Sequence, residues 1–395
     1  MVRRKHVSQF AAVTAVFVIF ALTLATLPPV TLAKVSTTVI PVGSYPDAIA
    51  VNPTTNKVYV ANNGDNDVIV IDGSNNAVLS TIQVGTAPAG IAVNPTTNMI
   101  YVADSADNNV TVIDGSTNKG VVNITVGNGP GGIAVDTATN MIYVANSADN
   151  TVSVIDGASN TVTATINVGN TPQAIAVDSA SNTIYVANNG DNNAMAIDGS
   201  TNKVTSNVTT GYGPTALAFD PTTNKLYVVD NSDNNVTVVD TTTLKADVNV
   251  TVGNGPNAVA IDSSINVYYV TNSNDNTVSV VNGTTNTVTQ NVTVGTLPDS
   301  VDVNPTTNKA YVTNNNDNTV TVISGAGQKP TSTSTTSKST TPTSSSTSTS
   351  SSSSSSSSGV PEFAGGIVGL GLILAVTALM VVSYAIVRRS STPKA

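Results

Sequence analysis

Between residues 34 and 328 the only ionisable acid besides tyrosine is aspartate, and the only base is lysine. Twenty-three aspartates stand against seven lysines (Lys34, Lys57, Lys119, Lys203, Lys225, Lys245 and Lys309), with no arginine, histidine or cysteine. The single histidine, His6, and the single glutamate, Glu362, lie near the two ends of the chain. Hydrolytic or redox chemistry ordinarily needs a base, a nucleophile or an oxyanion clamp, and this segment offers carboxylates alone. It is therefore expected not to be an enzyme and to carry no cofactor. A strongly acidic segment without arginine should also repel nucleic acid, which is held mainly by cationic side chains on phosphates.

Carboxylates could still hold a hard cation. Asp65, Asp107, Asp149, Asp191, Asp233, Asp275 and Asp317 recur every 42 residues, each followed by Asn. Oxygen ligands of this kind suit calcium, although Asp-Asn is equally a common turn pair and the spacing lacks a multi-ligand calcium loop. Asp302 is a second candidate, because it occupies a place held by Ala50, Ala92, Ala134, Ala176, Ala218 and Ala260. A carboxylate so near a packed interior needs solvent or a partner, which fits either a ligand in a channel or simple solvation there. Tyr212 is a weaker ligand candidate, bulky in a link where only Tyr45 and Leu297 compare. Sequons for N-glycosylation occur at Asn109, Asn123, Asn207, Asn235, Asn249, Asn282 and Asn291.

The 42-residue interval places all of these residues on one repeating frame. Tyr59, Tyr101, Tyr143, Tyr185, Tyr227, Tyr269 and Tyr311 keep it, and so do Pro46, Pro88, Pro130, Pro172, Pro214, Pro256 and Pro298. Short strands with turn signals at such a period predict a β-propeller of seven blades. In the first repeat the strands are expected at Ala48 to Val51, Lys57 to Ala61, Val68 to Ile71 and Ala77 to Val84, a four-stranded antiparallel meander. The last repeat stops after a third strand, Thr319 to Ile323, whereas Val35 to Val42 precedes the first and matches a fourth strand. The two should pair and close the ring, leaving no exposed gap in the sheet. Asn56, Asn98, Asn140, Asn182, Asn224, Asn266 and Asn308 are expected in left-handed turns. Gly43, Gly85, Gly127, Gly169, Gly211, Gly253 and Gly295 set the links between blades, and the tyrosines are read as packing.

The strings NPTTNKVYVAN, NPTTNMIYVAD, DTATNMIYVAN and NPTTNKAYVTN, followed by forms of DNTVSVIDG, resemble the YVTN-type β-propeller repeat family, also met in archaeal surface-layer proteins. The resemblance covers all seven repeats. It implies the fold firmly and the function poorly, since such repeats serve surface proteins, binding proteins and some enzymes. Related lyases and nitrite-reductase propellers use His with Glu or a haem, and this chain keeps only His6 and Glu362.

The ends have their own composition. Residues 1–33 read as a secretory leader, with Arg3, Arg4 and Lys5, then an apolar run and small residues before cleavage after Ala33; an uncleaved anchor is the alternative. The propeller is assigned to 34–327 and a Ser/Thr-rich stalk without a core of its own to 328–358. Residues 359–363 contain Val360-Pro361-Glu362-Phe363, which resembles the archaeal PEF-type sorting signal, in which a sortase replaces the following helix with a lipid. Residues 364–387 form an uncharged stretch long enough for a transmembrane helix, and 388–395, opening with Arg388 and Arg389, a cytoplasmic tail. The whole predicts a single-pass cell-surface glycoprotein for recognition, adhesion or envelope structure, with an extracellular protein or carbohydrate as partner. The alternative is a surface enzyme or ligand sensor with its site in the channel near Asp302.

Overall fold

The computed structural model describes residues 35–327. The expected leader, stalk, sorting motif, membrane helix and tail lie outside the described residues, among which no helix is long and apolar enough to cross a membrane.

Seven four-stranded antiparallel sheets follow one another as the blades of a propeller. Blade 1 comprises an inner strand Pro46–Asn52, a second strand Lys57–Asn62, a third strand Asp67–Asp72 and an outer strand Val78–Gln83. Each observed strand overlaps the segment expected for it, with ends displaced by one or two residues. Blade 7 is built from both ends of the described segment: its inner three strands are Pro298–Asn304, Lys309–Asn314 and Thr319–Ser324, and its outer strand is Ser36–Pro41. Ser36 pairs with Ser324 and Pro41 with Thr319, so the ring closes in the register the repeat anticipates.

Alternation along each second strand explains why the blades stack. Val58 and Val60 join the cluster containing Tyr311, Val320 and Val322 of blade 7. Tyr59 and Ala61 point the other way, into a cluster with Ile91, Ile100 and Val102 of blade 2. A sheet apolar on both faces cannot bury them alone, and this one uses a period of two to serve two neighbours. Seven such clusters fill the seven seams between blades, so the core is a ring of interfaces. The seven repeat tyrosines are all buried there, in agreement with a packing role.

Asn residues carry the turns. The seven Asn after the inner strands have φ between 51° and 60°, the left-handed region that Asn tolerates best after glycine. They also tie blades together: Asn52 Nδ2 donates to Asn98 Oδ1 at 2.8 Å, Asn94 to Asn140 at 2.7 Å, and Asn304 of blade 7 to Asn56 of blade 1 at 2.8 Å. Near the axis the inner strands crowd. A Cβ on Gly90 would lie 2.0 Å from the carbonyl oxygen of Gly131, so the seam between blades 2 and 3 depends on that missing side chain.

The closing strand puts one side chain deep into the last seam: Ile40 is 4% exposed, whereas its neighbour Val39 is 57% exposed. Ile40→Ala should lower the free energy of unfolding by about 2–4 kcal/mol, the range for truncating a buried aliphatic side chain. Val39→Ala should change it by under ~0.5 kcal/mol. Denaturant titration of the two variants separates a ring that needs its closing strand from one that does not.

Candidate binding site at the channel mouth

Each link between blades has two adjacent N–H groups that the sheets leave free. The first is taken by the aspartate of the following turn in the same blade: Ser44 N donates to Asp65 Oδ2 at 2.7 Å, and the other six links repeat the bond at 2.6–2.8 Å. The second is taken by the asparagine of the preceding blade, as Ala87 N donates to Asn66 Oδ1 at 2.9 Å. Tyr45 N donates to Asn318 Oδ1 at 3.0 Å, which carries the pattern across the closure. The Asp-Asn pair is thus a clamp, one residue holding its own link and the other the next.

That geometry spreads the seven aspartates one per blade. Backbone and side-chain donors from Asn128, Asn170 and Asn254 hold Asp149, Asp191 and Asp275 below the usual carboxylate range. Among the described residues no group of three or more His, Cys, Asp or Glu side chains is gathered that could hold a metal ion.

Asp302 is committed to the backbone. Its Oδ2 accepts from Val51 N of blade 1 at 2.7 Å and its Oδ1 from Val303 N at 2.8 Å. Desolvation nevertheless pushes it up to about 6, against the pull of those two donors. It is a staple across the closing seam, where the other blades place alanine. Tyr212 does stand on the link face with its side chain 65% exposed.

The carboxylates that face the channel are two others, Asp47 and Asp299. Each follows the repeat proline, where the pairing of the inner strand with the second skips a residue. A bulge of this kind re-aims a side chain away from the ladder. Around the ring the position holds Asp47, Ala89, Gly131, Gln173, Thr215, Asn257 and Asp299, and these line a central cavity of about 350 Å³. Six residue types occupy seven equivalent places. The signal was present in the sequence as a column that varies beside an invariant proline, but nothing short of the ring says that it faces one axis.

The polar side of this mouth runs over blades 4, 5, 6, 7 and 1, with its carboxylates on blades 7 and 1. Asn257 Nδ2 donates to Asp299 Oδ1, and Asn315 Nδ2 donates to Asp47 Oδ1 at 2.7 Å. In blades 1, 4 and 5 the equivalent asparagine goes to the next proline carbonyl, as Asn231 does to Pro256 at 2.8 Å, and blades 2, 3 and 6 have serine there. Burial and the neighbouring Asp47 charge push Asp299 up to about 7, while burial raises Asp47 less because it accepts from Asp299, Asn315 and Asn63. Burial and the like charge beside it thus favour the protonated form of Asp299. Two residues upstream, Tyr45 and Leu297 hold left-handed φ of 50° and 54°, where blades 3, 5 and 6 use glycine. Strain of about 1–2 kcal/mol per residue is kept there, and both side chains are exposed.

A second pair of shifted carboxylates lies away from the channel, between second and third strands. Asp104 and Asp230 stand where the other blades have Asn, each accepting from a threonine, Thr111 or Thr237, at 2.6 Å. Burial pushes both up to about 6. The remaining oxygens Asp104 Oδ1 and Asp230 Oδ1 are buried without a donor, as are Asn109 Oδ1 and Asn235 Oδ1.

Two predictions follow from these carboxyl groups. Asp104, Asp230, Asp299 and Asp302 bind protons more tightly folded than unfolded, so the fold should gain stability as pH falls from about 7 towards 5, by up to roughly 1.4 kcal/mol per pH unit per proton. The thermal midpoint should be higher at pH 5 than at 7.5, and Asp299→Asn should shrink that difference. Asp104→Asn, which supplies an amide donor where acceptors lack one, should raise stability at pH 7.5 by about 1–3 kcal/mol in calorimetry.

Comparison with known proteins agrees with the architecture. Residues 131–271 match a family model described as YNCE-like beta-propeller. Among solved structures, a chain of Kuenenia stuttgartiensis hydrazine synthase is similar, with a TM-score of 0.65 at 20% identity over 72% of this chain and 96% of that one. A likeness at that identity is one of fold. No curated protein matches the chain. The seven closed blades and the family model that matches their middle together make this chain a β-propeller protein.

Proposed function

We propose that the chain is a non-catalytic recognition, adhesion or cell-envelope protein of the surface-layer type suggested by its YVTN-like repeats, held outside the membrane on its Ser/Thr-rich stalk. The uncharged stretch 364–387, read from the sequence as membrane-spanning, anchors it in this proposal, either directly or until the PEF-like signal hands it to a lipid. Its contact with an extracellular protein or carbohydrate is made on the link face around the channel mouth. One observation carries this reading. Blades that repeat their packing residues almost unchanged differ from one another at the channel-facing position, and the polar members Gln173, Thr215, Asn257, Asp299 and Asp47 fall on consecutive blades, with the two carboxylates side by side. Packing alone would not ask for that asymmetry, and a rigid ring suits a surface built for complementarity.

The second reading, a surface enzyme or ligand sensor working in the channel, draws on the neighbouring carboxyls of Asp47 and Asp299, the second pushed up to about 7. A carboxylic acid beside a carboxylate has the pieces of general acid and base. No thiol, imidazole or guanidinium stands in the described residues to complete a nucleophilic or oxyanion site.

Immobilised protein exposed to solubilised envelope polysaccharide and protein distinguishes the two. Retention by the parent chain, weakened at least tenfold in Asp47→Asn/Asp299→Asn, supports recognition at the mouth. Retention indifferent to those changes but lost in Tyr212→Ala moves the contact to the rim, and turnover of a bound carbohydrate abolished by Asp299→Asn would replace the reading with the enzymatic one.

A further inference from the structure

The outer strands of blades 2, 4, 5 and 6 carry the same tripeptide at the same height: Asn123-Ile124-Thr125, Asn207-Val208-Thr209, Asn249-Val250-Thr251 and Asn291-Val292-Thr293. In each the asparagine and the threonine are exposed while the residue between them is buried. The central side chain fastens the strand to its blade, and the period of two turns both reactive groups outward. Asn291 uses Oδ1 to accept from Ser279 at 2.9 Å. Among the described residues none of the four Nδ2 atoms donates a hydrogen bond.

The other three sequons are closed. In Asn109-Val110-Thr111 and Asn235-Val236-Thr237 the asparagines are half-buried at the start of third strands. Their threonines are 3% and 1% exposed, with hydroxyls committed to Asp104 and Asp230. Asn282 is half-buried, and its Oδ1 folds back to accept from Thr284 N at 2.9 Å and Thr285 N at 3.0 Å.

We propose that Asn123, Asn207, Asn249 and Asn291 are the N-glycosylation sites of the folded chain, forming a belt of sugar on the outer circumference, and that Asn109, Asn235 and Asn282 are not. The proposal rests on the extracytoplasmic reading above. In the transfer, the Asn Nδ2 forms a bond to C1 of an oligosaccharide, the bond from C1 to the phosphate oxygen of a lipid-linked donor breaks, and the lipid phosphate leaves with that electron pair. One amide proton passes to solvent.

The belt answers a problem of this fold. An outer strand leaves one backbone edge unpaired, which proteins usually blunt with charge, proline or cover. Lys119, Lys203 and Lys245 put a charge at the start of three of these strands, but Val121, Val122, Val204 and Val248 are exposed further along them. Blade 7, whose outer strand bears Val39 at the corresponding place, has Pro41 on that strand instead. Blades 1 and 3 carry Thr81 and Thr165 there and have no sequon.

The test is site occupancy on the folded, exported pool, read by peptide mass spectrometry after enzymatic deglycosylation in heavy-oxygen water. The full chain is expressed in an N-glycosylating secretory host, once with its own residues 1–33 and once with the host's cleavable leader in their place. Occupancy at the four belt sites at least fivefold above that at Asn109, Asn235 and Asn282 is the expected result with the host leader. Sugar on that form but none on the native form would sink the export reading and leave the site assignment standing. Equal occupancy at all seven, preference for the three closed sites, or no sugar on the host-leader form overturns the proposal. Thr165→Asn with Asn167→Thr, which writes the tripeptide into blade 3, should add one glycan mass. Thr125→Ala should remove one, and Thr125→Ser should retain it.

Discussion

Every blade in this protein has two apolar faces, and the stacking of those faces is the interaction on which the rest depends. Val58 and Val60 look back to blade 7 while Tyr59 and Ala61 look forward to blade 2. The same division recurs around the ring, so the last seam must meet the first or two apolar faces would be left in water. Closure is therefore a condition of stability, and the chain meets it by lending Ser36–Pro41 to the blade built from its other end. The borrowed strand fixes the chain that enters blade 1 into the sheet of blade 7 by backbone hydrogen bonds, and Ile40 packs in the seam between the two blades.

The polar side of the architecture follows from the low charge content. With few ions at hand, the links are clamped by Asp from one blade and Asn from the one before, and neighbouring turns are tied amide to amide. Left-handed Asn residues make the turns tight enough for those ties. Repetition of the clamp explains why Asp65 and its equivalents are so regular. Their regularity is the mark of structural work, and departure from regularity is the better guide to a binding surface. Asp47 and Asp299 lie in a column that varies around the ring, Tyr45 and Leu297 in one that elsewhere holds only Ala87, Thr171 and glycines, and all four fall on blades 7 and 1.

The fold was legible because its evidence is periodic: seven prolines and seven tyrosines in step, and an orphan fourth strand at the front with an orphan third strand at the back. The candidate site was not legible in the same way. Asp302 attracted attention because it replaces alanine in an otherwise constant column, yet its carboxylate is consumed by the N–H of Val51, a residue 251 positions away that no local pattern connects to it. Asp47 and Asp299 do not stand out along the chain because their column varies everywhere, and variation reads as tolerance until the ring brings the positions onto one axis. The same limit applied to the sequons, where Thr111 and Thr125 are alike as letters but one is buried against Asp104 and the other faces water.

By itself the amino-acid sequence determined the number of blades, the strands within each and the manner of closure, because these depend on local alternation, turn residues and a count, all of which are written along the chain. Tertiary structure alone decided which polar groups meet. It brought Asp47 beside Asp299, spread the seven turn aspartates one to a blade, and set some asparagines outward and others into seams. The reason is physical: protonation, hydrogen bonding and accessibility depend on distances through space and on the water excluded there, and a ring brings into contact residues that the chain holds some 250 positions apart.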